Sequence, residues 1–239
     1  MNEDTAREQL ATCTRIFAMH GLLGFFGHIS VFLPETQRVI MCPGSGADKS
    51  SVRAEDMLVV DLDGRLFAGS PPIPREWPIH TELHQARRDA LAVAHCHAHH
   101  STLFAIAQRE LRPVTMSGAI FADGVPVYHD VEFLDTLDAG RRLVAAIGDR
   151  PAILLRCHGS VSVASSVEGM LHTSFILEDN ARKALEALPL GELRPLSREE
   201  CLRLQPSYPN ERARAHFAYL AAHEARWDRQ LATGPGRGV

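Results

Sequence analysis

The chain has 239 residues, 45% of them hydrophobic, and is long enough to bury a sizeable core in one domain. Its net charge of −4 at pH 7, with no stripe of Lys and Arg, gives no electrostatic basis for binding nucleic acid. No apolar stretch reaches the roughly 18 to 20 residues that span a bilayer, and the N-terminus is acidic and polar, so the sequence predicts no membrane partner and a cytoplasmic protein. Five scattered cysteines fit a reducing compartment.

The first third of the chain predicts one helix followed by two pairs of strands. Thr5 and Glu8 have the spacing of a capping box at a helix N-terminus. The runs GHISVFLP and RVIMC predict two strands joined by a turn, with His28 at the mouth of the first strand. Residues 57–62 and 65–68 flank an Asp-Gly pair, which is a strong signal for a β-hairpin.

The loop PGSGADKSS, residues 43–51, lies between these strand pairs. It lacks the glycines of a nucleotide-binding P-loop, so nucleotide binding is not expected. The backbone N–H groups of Gly44, Ser45 and Gly46 could still be presented to an anionic substrate. An ordinary glycine-containing turn explains the same residues equally well.

A proline-stiffened segment leads into a predicted helix that begins around Trp77-Pro78. On such a helix Glu76, His80 and His84 recur every four residues and share one face. His80 and His84 could form a second metal-binding pair, but an exposed or packed role is favoured for them.

Histidines then follow two apolar, β-prone runs. His95 and His97 end the first run at alternate positions, so both rings point to one side of a strand, and His158 follows the second run directly before Gly159. Three convergent imidazoles indicate a site for zinc or a similar divalent metal with one position open for substrate. Glu76 is the candidate to complete the shell or to act as acid/base. His99 and His100 are expected at the surface or behind the ligands.

The rest of the chain predicts mainly helices. An amphipathic helix is expected over residues 131–147, and a Ser165–Glu168 capping box is expected to open a long helix over 167–188. Two terminal helices, residues 198–204 and 210–231, follow a proline break. Strands and helices alternate without regular βαβ spacing, which favours a mostly antiparallel or mixed central sheet covered by helices in a single domain, residues 1–239.

Two long segments together carry a family resemblance: REWPIHTELHQARRDALAVAHCHAHHSTLFAIA and LLRCHGSVSVASSVEGMLHTSFILEDNARKALE. They resemble the class II aldolase/adducin family, which has the fold of fuculose-phosphate aldolase. The resemblance runs over about residues 6–188 and leaves 197–232 as a helical extension. It implies an α/β, three-layer fold with a largely antiparallel sheet, and a homotetramer with active sites between subunits. By the resemblance, His95, His97 and His158 bind one divalent metal per subunit, with zinc or manganese before iron or cobalt, and Glu76 is the acid/base.

Departures from the sugar-phosphate aldolases of that family concern the phosphate site. Those enzymes carry Ser-Ser before the Glu, Asn in the Gly-Asn-x-Ser turn and Thr-Gly in the next loop. This chain has Pro74-Arg75, His28 and Gly44-Ser45-Gly46 at these places, and the tyrosine that assists cleavage is missing from PVTMSGAIF. The resemblance therefore implies a small carboxylate substrate, with Arg75 suited to a carboxylate and His28 and residues 44–46 as further substrate contacts.

The reaction expected from this resemblance is decarboxylation of a hydroxylated aromatic or pyridine (di)carboxylate by a divalent-metal-dependent carbon–carbon lyase. An aldolase or epimerase acting on a sugar phosphate is the first alternative. A non-heme iron oxygenase and a non-enzymatic adducin-like scaffold are further alternatives, although a scaffold should lack the metal ligands. Subunit contacts are expected at residues 116–124 and on the aromatic side chains of the terminal region, Tyr208, Phe217, Tyr219 and Trp227.

Overall fold

One eight-stranded sheet forms the centre of the computed structural model, which describes residues 1–70, 72–204 and 209–233. In chain order the strands are β1 (His28–Leu33), β2 (Arg38–Met41), β3 (Leu58–Val60), β4 (Leu66–Ala68), β5 (Ala92–Cys96), β6 (Val127–Tyr128), β7 (Ala152–Leu155) and β8 (Gly159–Ala164). Their order across the sheet is β4-β3-β2-β1-β5-β8-β7-β6. Among the strands of the described residues, only β6 and β7 pair in parallel, which confirms the predicted mixed, mostly antiparallel sheet.

Helices cover both faces of this sheet, so the fold has three layers, as expected. They are α1 (Glu3–Met19), α2 (Pro78–Ala86), α3 (His99–Ile106), α4 (Leu137–Ile147), α5 (Val167–Ala187), α6 (Arg198–Leu204) and α7 (Pro209–Thr233). Helices α1, α3, α5 and α7 lie on one face, and α2 and α4 lie on the other. In the described part of the chain, no helix has both the length and the apolar character needed to cross a membrane.

Strand β5 shows how the two faces are divided. Ala92, Ala94 and Cys96 pack into the cluster under α1 and α5, whereas Val93 packs with apolar side chains of α2 and α4. Because side chains alternate along a strand, His95 shares the face of Val93 and lies beneath α2. The sheet therefore keeps one face apolar and reserves part of the other for polar side chains.

Three predicted helix starts are corrected by the side chains that cap them. Asn2, not Thr5, caps α1 by accepting a hydrogen bond from the Thr5 backbone N–H at 2.9 Å. Ser166 rather than Ser165 caps α5. Helix α4 begins only after Thr136, whose hydroxyl accepts from the backbone N–H of Ala139. In each case the helix begins where an extended residue can place a side-chain oxygen on a free N–H group of the first turn.

The capping of α3 comes from another helix. Its first residues carry no capping side chain, and Glu178 of α5 accepts hydrogen bonds from the backbone N–H groups of His100 and Ser101 at 2.7 and 2.9 Å. Glu178 also contacts Nδ1 of His100 at 2.7 Å. Since α3 begins two residues after His97, this cap fixes where the chain turns from strand to helix.

The C-terminal helices pack back onto the rest of the chain. Leu220 of α7 is buried in the core cluster with α1 and α5, and Glu224 pairs with Arg15 of α1 at 2.7 Å. Tyr208, one of the aromatic side chains predicted at a subunit contact, lies outside the described residues. The division into a core and a helical extension stays a prediction.

Candidate metal centre

Three histidines converge at the ends of β5 and β7. His95 is the fourth residue of β5, His97 follows that strand, and His158 lies in the turn between β7 and β8. Their ring centroids are 4.7 to 4.8 Å apart, and the ring planes lie at 69° to 75° to one another. One ring nitrogen from each histidine falls in a group whose atoms all lie within 4.8 Å of one another. The predicted ligands therefore form a single cluster.

Glycines allow the chain segments that carry these rings to approach. A side chain at Gly159 would collide with the carbonyl oxygen of Cys96, so only glycine lets β8 begin against the end of β5. Gly27 has a φ of +83°, and a side chain there would press on the carbonyl oxygen of His95. These close approaches bring His28 and His158 to opposite sides of His95.

The hydrogen bond of His95 prepares its other nitrogen for a cation. Its Nδ1 lies 3.2 Å from the carbonyl oxygen of Ser160, which can only accept, so Nδ1 carries the proton. Nε2 of the neutral ring then carries no proton, and its lone pair is directed at Nε2 of His97, 2.9 Å away. Two imidazole nitrogens at this distance need a proton or a cation between them, and three convergent imidazoles are a donor set typical of zinc and similar divalent metals.

Burial favours the neutral, metal-binding form of these rings. Loss of solvent, reinforced by the neighbouring His95 and His158, lowers the pKa of His97 to about 3. Burial also lowers the pKa of His95, although the nearby carboxylate of Glu76 acts in the opposite direction. Because a metal binds the deprotonated imidazole, the environment suits metal binding at neutral pH.

Glu76 stands beside two of the rings, directly before α2. Its Oε2 lies 3.5 Å from Nε2 of His95 and 3.4 Å from Nε2 of His158, while Oε1 accepts a hydrogen bond from the backbone N–H of Leu134 at 2.9 Å. Burial acts to raise the pKa of Glu76, and a positive charge among the neighbouring rings, carried by a proton or a bound cation, acts to lower it. Leu134 lies in the segment wrongly predicted as helix, and its loop conformation frees this N–H for Glu76.

A second layer of buried histidines lies behind the cluster. His28 pairs across the sheet with His95, and their ring centroids are 5.0 Å apart. His80 and His84 are buried and hydrogen-bonded through Ser30, so they have the packed role that the sequence favoured. Ser30 was missed, although its position two residues after His28 on a strand places both side chains on one face.

The loop after α1 also reaches the cluster. Phe26 stacks on His97 with ring centroids 5.8 Å apart. Nζ of the buried Lys49 donates to the carbonyl oxygens of Gly24 and Phe25 at 3.1 and 3.0 Å. Lys49 therefore holds the segment that places Phe26 over the cluster of His95, His97 and His158, and nothing in its sequence surroundings indicated that role.

The proposed substrate contacts are less well assembled. Arg75 is exposed, pairs with Asp135 at 2.6 Å and lies over the ring of Phe133, so its guanidinium is already engaged. Residues 44–46 line a separate cleft together with three carboxylates, Asp48, Glu55 and Asp56. The N–H of Gly44 is directed to the carbonyl oxygen of Pro72 at 3.4 Å. The structure therefore does not bring this loop to the histidines.

A cleft of about 260 Å³ opens beside His158 instead. Phe133, Leu134 and Leu155 give it an apolar wall, and Arg156 supplies a guanidinium. Two carboxylates, Asp130 and Glu132, also line it, and Glu132 is paired with Arg142 at 2.6 Å. Nε of Arg156 is buried and has no hydrogen-bond partner among the described residues, while Nη1 lies 3.3 Å from the carbonyl oxygen of His129. The sequence did not indicate a role for Arg156, because only the histidine of the RCHG motif is a typical metal ligand.

Comparison with known proteins shows that the chain is similar in sequence to two kinds of enzyme. The chain is 35% identical over 210 residues to the 3,4-dihydroxyphthalate decarboxylase of Rhodococcus jostii (strain RHA1), which covers 80% of this chain and 85% of the relative. It is 24% identical over 182 residues to an L-fuculose phosphate aldolase of Methanocaldococcus jannaschii, which covers 75% of this chain and 94% of the relative.

Solved structures confirm the predicted fold. An aldolase II superfamily protein from Pseudomonas syringae matches with a TM-score of 0.83 at 23% identity, over 94% of this chain and 93% of that one. A sequence profile described as the Class II Aldolase and Adducin N-terminal domain matches residues 8–185, about three quarters of the chain. The resemblance noted in the sequence is thereby confirmed, and the chain belongs to the class II aldolase and adducin family.

Proposed function

We propose that this protein is a divalent-metal-dependent decarboxylase of hydroxylated aromatic carboxylates, with a dicarboxylate such as 3,4-dihydroxyphthalate as the first candidate. The observation that carries the proposal is the cleft beside His158, which combines an apolar wall with the guanidinium of Arg156. An aromatic ring fits the wall, and a carboxylate fits the guanidinium. The 35% identity to a 3,4-dihydroxyphthalate decarboxylase supports the same reaction.

In this proposal His95, His97 and His158 hold the metal, with zinc or manganese before iron or cobalt. A bound divalent ion would act as a Lewis acid that stabilises negative charge on substrate oxygens. Among the described residues, the three imidazoles form one of two groups able to hold an ion, and the other combines His28 and Glu76 with the same His95. Glu76 therefore adjoins the metal as a possible further ligand and as the acid/base.

Glu76 is placed to move the proton that the reaction needs. Decarboxylation breaks the bond between the ring carbon and the carboxylate, leaves the electron pair on the ring, and releases carbon dioxide. A proton must then be delivered to that carbon. Glu76 is held by Leu134 and faces the histidines, so as a carboxylate it can take a proton from a hydroxyl group of the substrate and, without leaving its position, deliver that proton to the ring carbon.

An aldolase acting on a sugar phosphate fits this structure less well. The loop of residues 44–46 lies in a cleft that also contains Asp48, Glu55 and Asp56, and three carboxylates repel a phosphate dianion. The described cleft beside the histidines has a largely apolar wall, whereas a sugar offers hydroxyl groups that need hydrogen-bond partners. The aldolase remains the runner-up because a relative named as an L-fuculose phosphate aldolase shares 24% identity.

Assembly is a further part of the proposal. We propose a homotetramer in which exposed apolar side chains of one subunit cover those of the next. Met116, Tyr219 and Trp227 are 71%, 61% and 56% exposed, and Phe133 at the cleft is 62% exposed. Phe217 is partly buried against the core of its own subunit and contributes less to such a surface. Light scattering at micromolar concentration is expected to give the mass of four chains, and a monomeric mass would refute this part.

Loss of one imidazole should remove the metal. His97→Ala is expected to lose stoichiometric binding of zinc or manganese and all turnover, because two remaining imidazoles do not hold an ion tightly. Metal content after dialysis, measured by mass spectrometry, checks this. His99→Ala is the control, since His99 is exposed on α3, and it should keep one ion per chain. Retention of a full equivalent by His97→Ala would contradict the ligand assignment.

Replacement of Glu76 by Gln should separate metal binding from catalysis. Gln keeps the shape and accepts the hydrogen bond of Leu134 but cannot cycle a proton, so release of carbon dioxide from 3,4-dihydroxyphthalate should fall about 10²-fold or more while metal stays bound. Glu82→Gln, a change at another buried carboxylate, should leave turnover near normal. Near-normal turnover by Glu76→Gln removes Glu76 from the mechanism. Aldehyde release from fuculose phosphate or oxygen consumption by the unaltered protein would favour the aldolase or oxygenase instead.

Arg156 and Arg75 are the two candidates for binding the substrate carboxylate, and conservative substitutions distinguish between them. Arg156→Lys is expected to weaken binding of 3,4-dihydroxyphthalate by on the order of 10-fold, since an ammonium group loses the two-pronged contact. Arg75→Lys should have a smaller effect, because Asp135 already occupies its guanidinium. Calorimetric titration in the Glu76→Gln background measures both affinities while turnover is slowed about 10²-fold or more. A larger loss in Arg75→Lys would return the anchoring role to Arg75.

A further inference from the structure

A buried chain of hydrogen bonds runs from a backbone carbonyl to His28. Nδ1 of His84 lies 2.6 Å from the carbonyl oxygen of Ala90, and Nε2 of His84 lies 2.9 Å from the hydroxyl of Ser30. The same hydroxyl lies 2.6 Å from Nδ1 of His80, and Nε2 of His80 lies 2.6 Å from Nδ1 of His28. All four side chains are buried. Both ring nitrogens of His80 and both of His84 therefore take part in this series of hydrogen bonds.

The carbonyl oxygen of Ala90 decides which atom donates in each of these hydrogen bonds. A carbonyl oxygen can only accept, so Nδ1 of His84 must carry a proton. Burial lowers the pKa of His84 to about 4, so its ring is neutral at pH 7 and its Nε2 is a lone pair. The hydroxyl of Ser30 must then donate its single hydrogen to His84.

Each following bond is forced by the one before it. Because Ser30 has no second hydrogen, it accepts from Nδ1–H of His80. Burial with loss of solvent holds the pKa of His80 well below its usual value, so its Nε2 is also a lone pair. Nδ1 of His28 must therefore carry the proton donated to His80, and in a buried ring that holds one proton Nε2 of His28 is the acceptor.

We propose that Ser30 is a positioning residue which, through His80, fixes His28 in the tautomer with a bare Nε2, and that this nitrogen accepts a hydrogen bond from a hydroxyl group of the substrate. The hydroxyl assignment rests on the proposed function, whereas the tautomer does not. His28 is the cross-strand partner of His95 and forms a group with His95 and Glu76, so its ring borders the metal cluster.

This polarity gives His28 a role opposite to that of Arg156. A bare imidazole nitrogen repels a carboxylate and attracts an O–H donor, while a guanidinium does the reverse. A phenolic hydroxyl is therefore directed toward His28 and a carboxylate toward Arg156. A substrate that lacks the hydroxyl leaves a buried acceptor unsatisfied, and such sites discriminate strongly against the analogue.

The tautomer is tested by ¹⁵N magic-angle-spinning NMR of protein labelled with ¹⁵N histidine, before and after zinc is added. The His28 signals are assigned by their loss in His28→Gln. We expect Nδ1 of His28 to be protonated and Nε2 bare in the unaltered protein and in Ser30→Thr, which keeps the hydroxyl. Ser30→Ala should show a mixture of the two His28 tautomers. A protonated Nε2 in the unaltered protein, or no change in Ser30→Ala, would overturn the proposal.

Ligand discrimination tests the hydroxyl. Calorimetric titration of the Glu76→Gln protein with 3,4-dihydroxyphthalate and with phthalate should show a preference for the hydroxylated ligand. Adding Ser30→Ala should reduce that preference about 10-fold while phthalate affinity stays unchanged, and adding Ser30→Thr should restore it. An unchanged preference in Ser30→Ala overturns the hydroxyl assignment alone. If neither ligand binds, both the hydroxyl assignment and the proposed function are overturned. The tautomer is tested separately, by the NMR spectrum.

Discussion

Glu76 and the imidazole rings of His28, His80, His84 and His95 lie out of water on one face of the sheet, and the cost of removing these groups from water governs the surrounding structure. Each group recovers part of that cost through a neighbour that the fold holds in place. The backbone N–H of Leu134 donates a hydrogen bond to Glu76. The carbonyl oxygens of Ser160 and Ala90 accept hydrogen bonds from His95 and His84. The sheet and its connections must keep these backbone groups where the side chains need them.

Both hydrogen-bonded networks end on a carbonyl oxygen, and this decides the polarity of the site. Ser160 fixes the proton of His95 on Nδ1, and Ala90 does the same for His28 through three intervening side chains. As a result, bare nitrogens of His95 and His28 border one region. This region, which also holds the Glu76 carboxylate, attracts a cation or an O–H donor and repels a further anion. In the proposed function, recognition of a carboxylate then belongs at the edge, where Arg156 lies.

The sequence predicted what depends on short-range pattern. Alternation along β5 placed His95 and His97 on one side, and a histidine before Gly159 marked a close approach of strands that the structure contains. Leu134 and Arg156 were missed for a different reason. The first acts through its backbone in a loop whose composition is compatible with a helix, and the second acts through its position in a cleft. Such roles depend on tertiary placement, which local propensity does not encode.

The proposed substrate contact at His28, where the sugar-phosphate aldolases carry Asn, requires support from the side chains behind it. An amide side chain offers a donor and an acceptor at once, but a neutral imidazole offers one of each on opposite sides of a ring, and which side donates depends on its partner. His28 alone would therefore be ambiguous toward substrate. In this proposal His84, Ser30 and His80 remove that ambiguity by passing the fixed polarity of the Ala90 carbonyl oxygen to His28 through four buried hydrogen bonds. In the proposed function, the specificity of the site thus depends on side chains that do not touch the substrate.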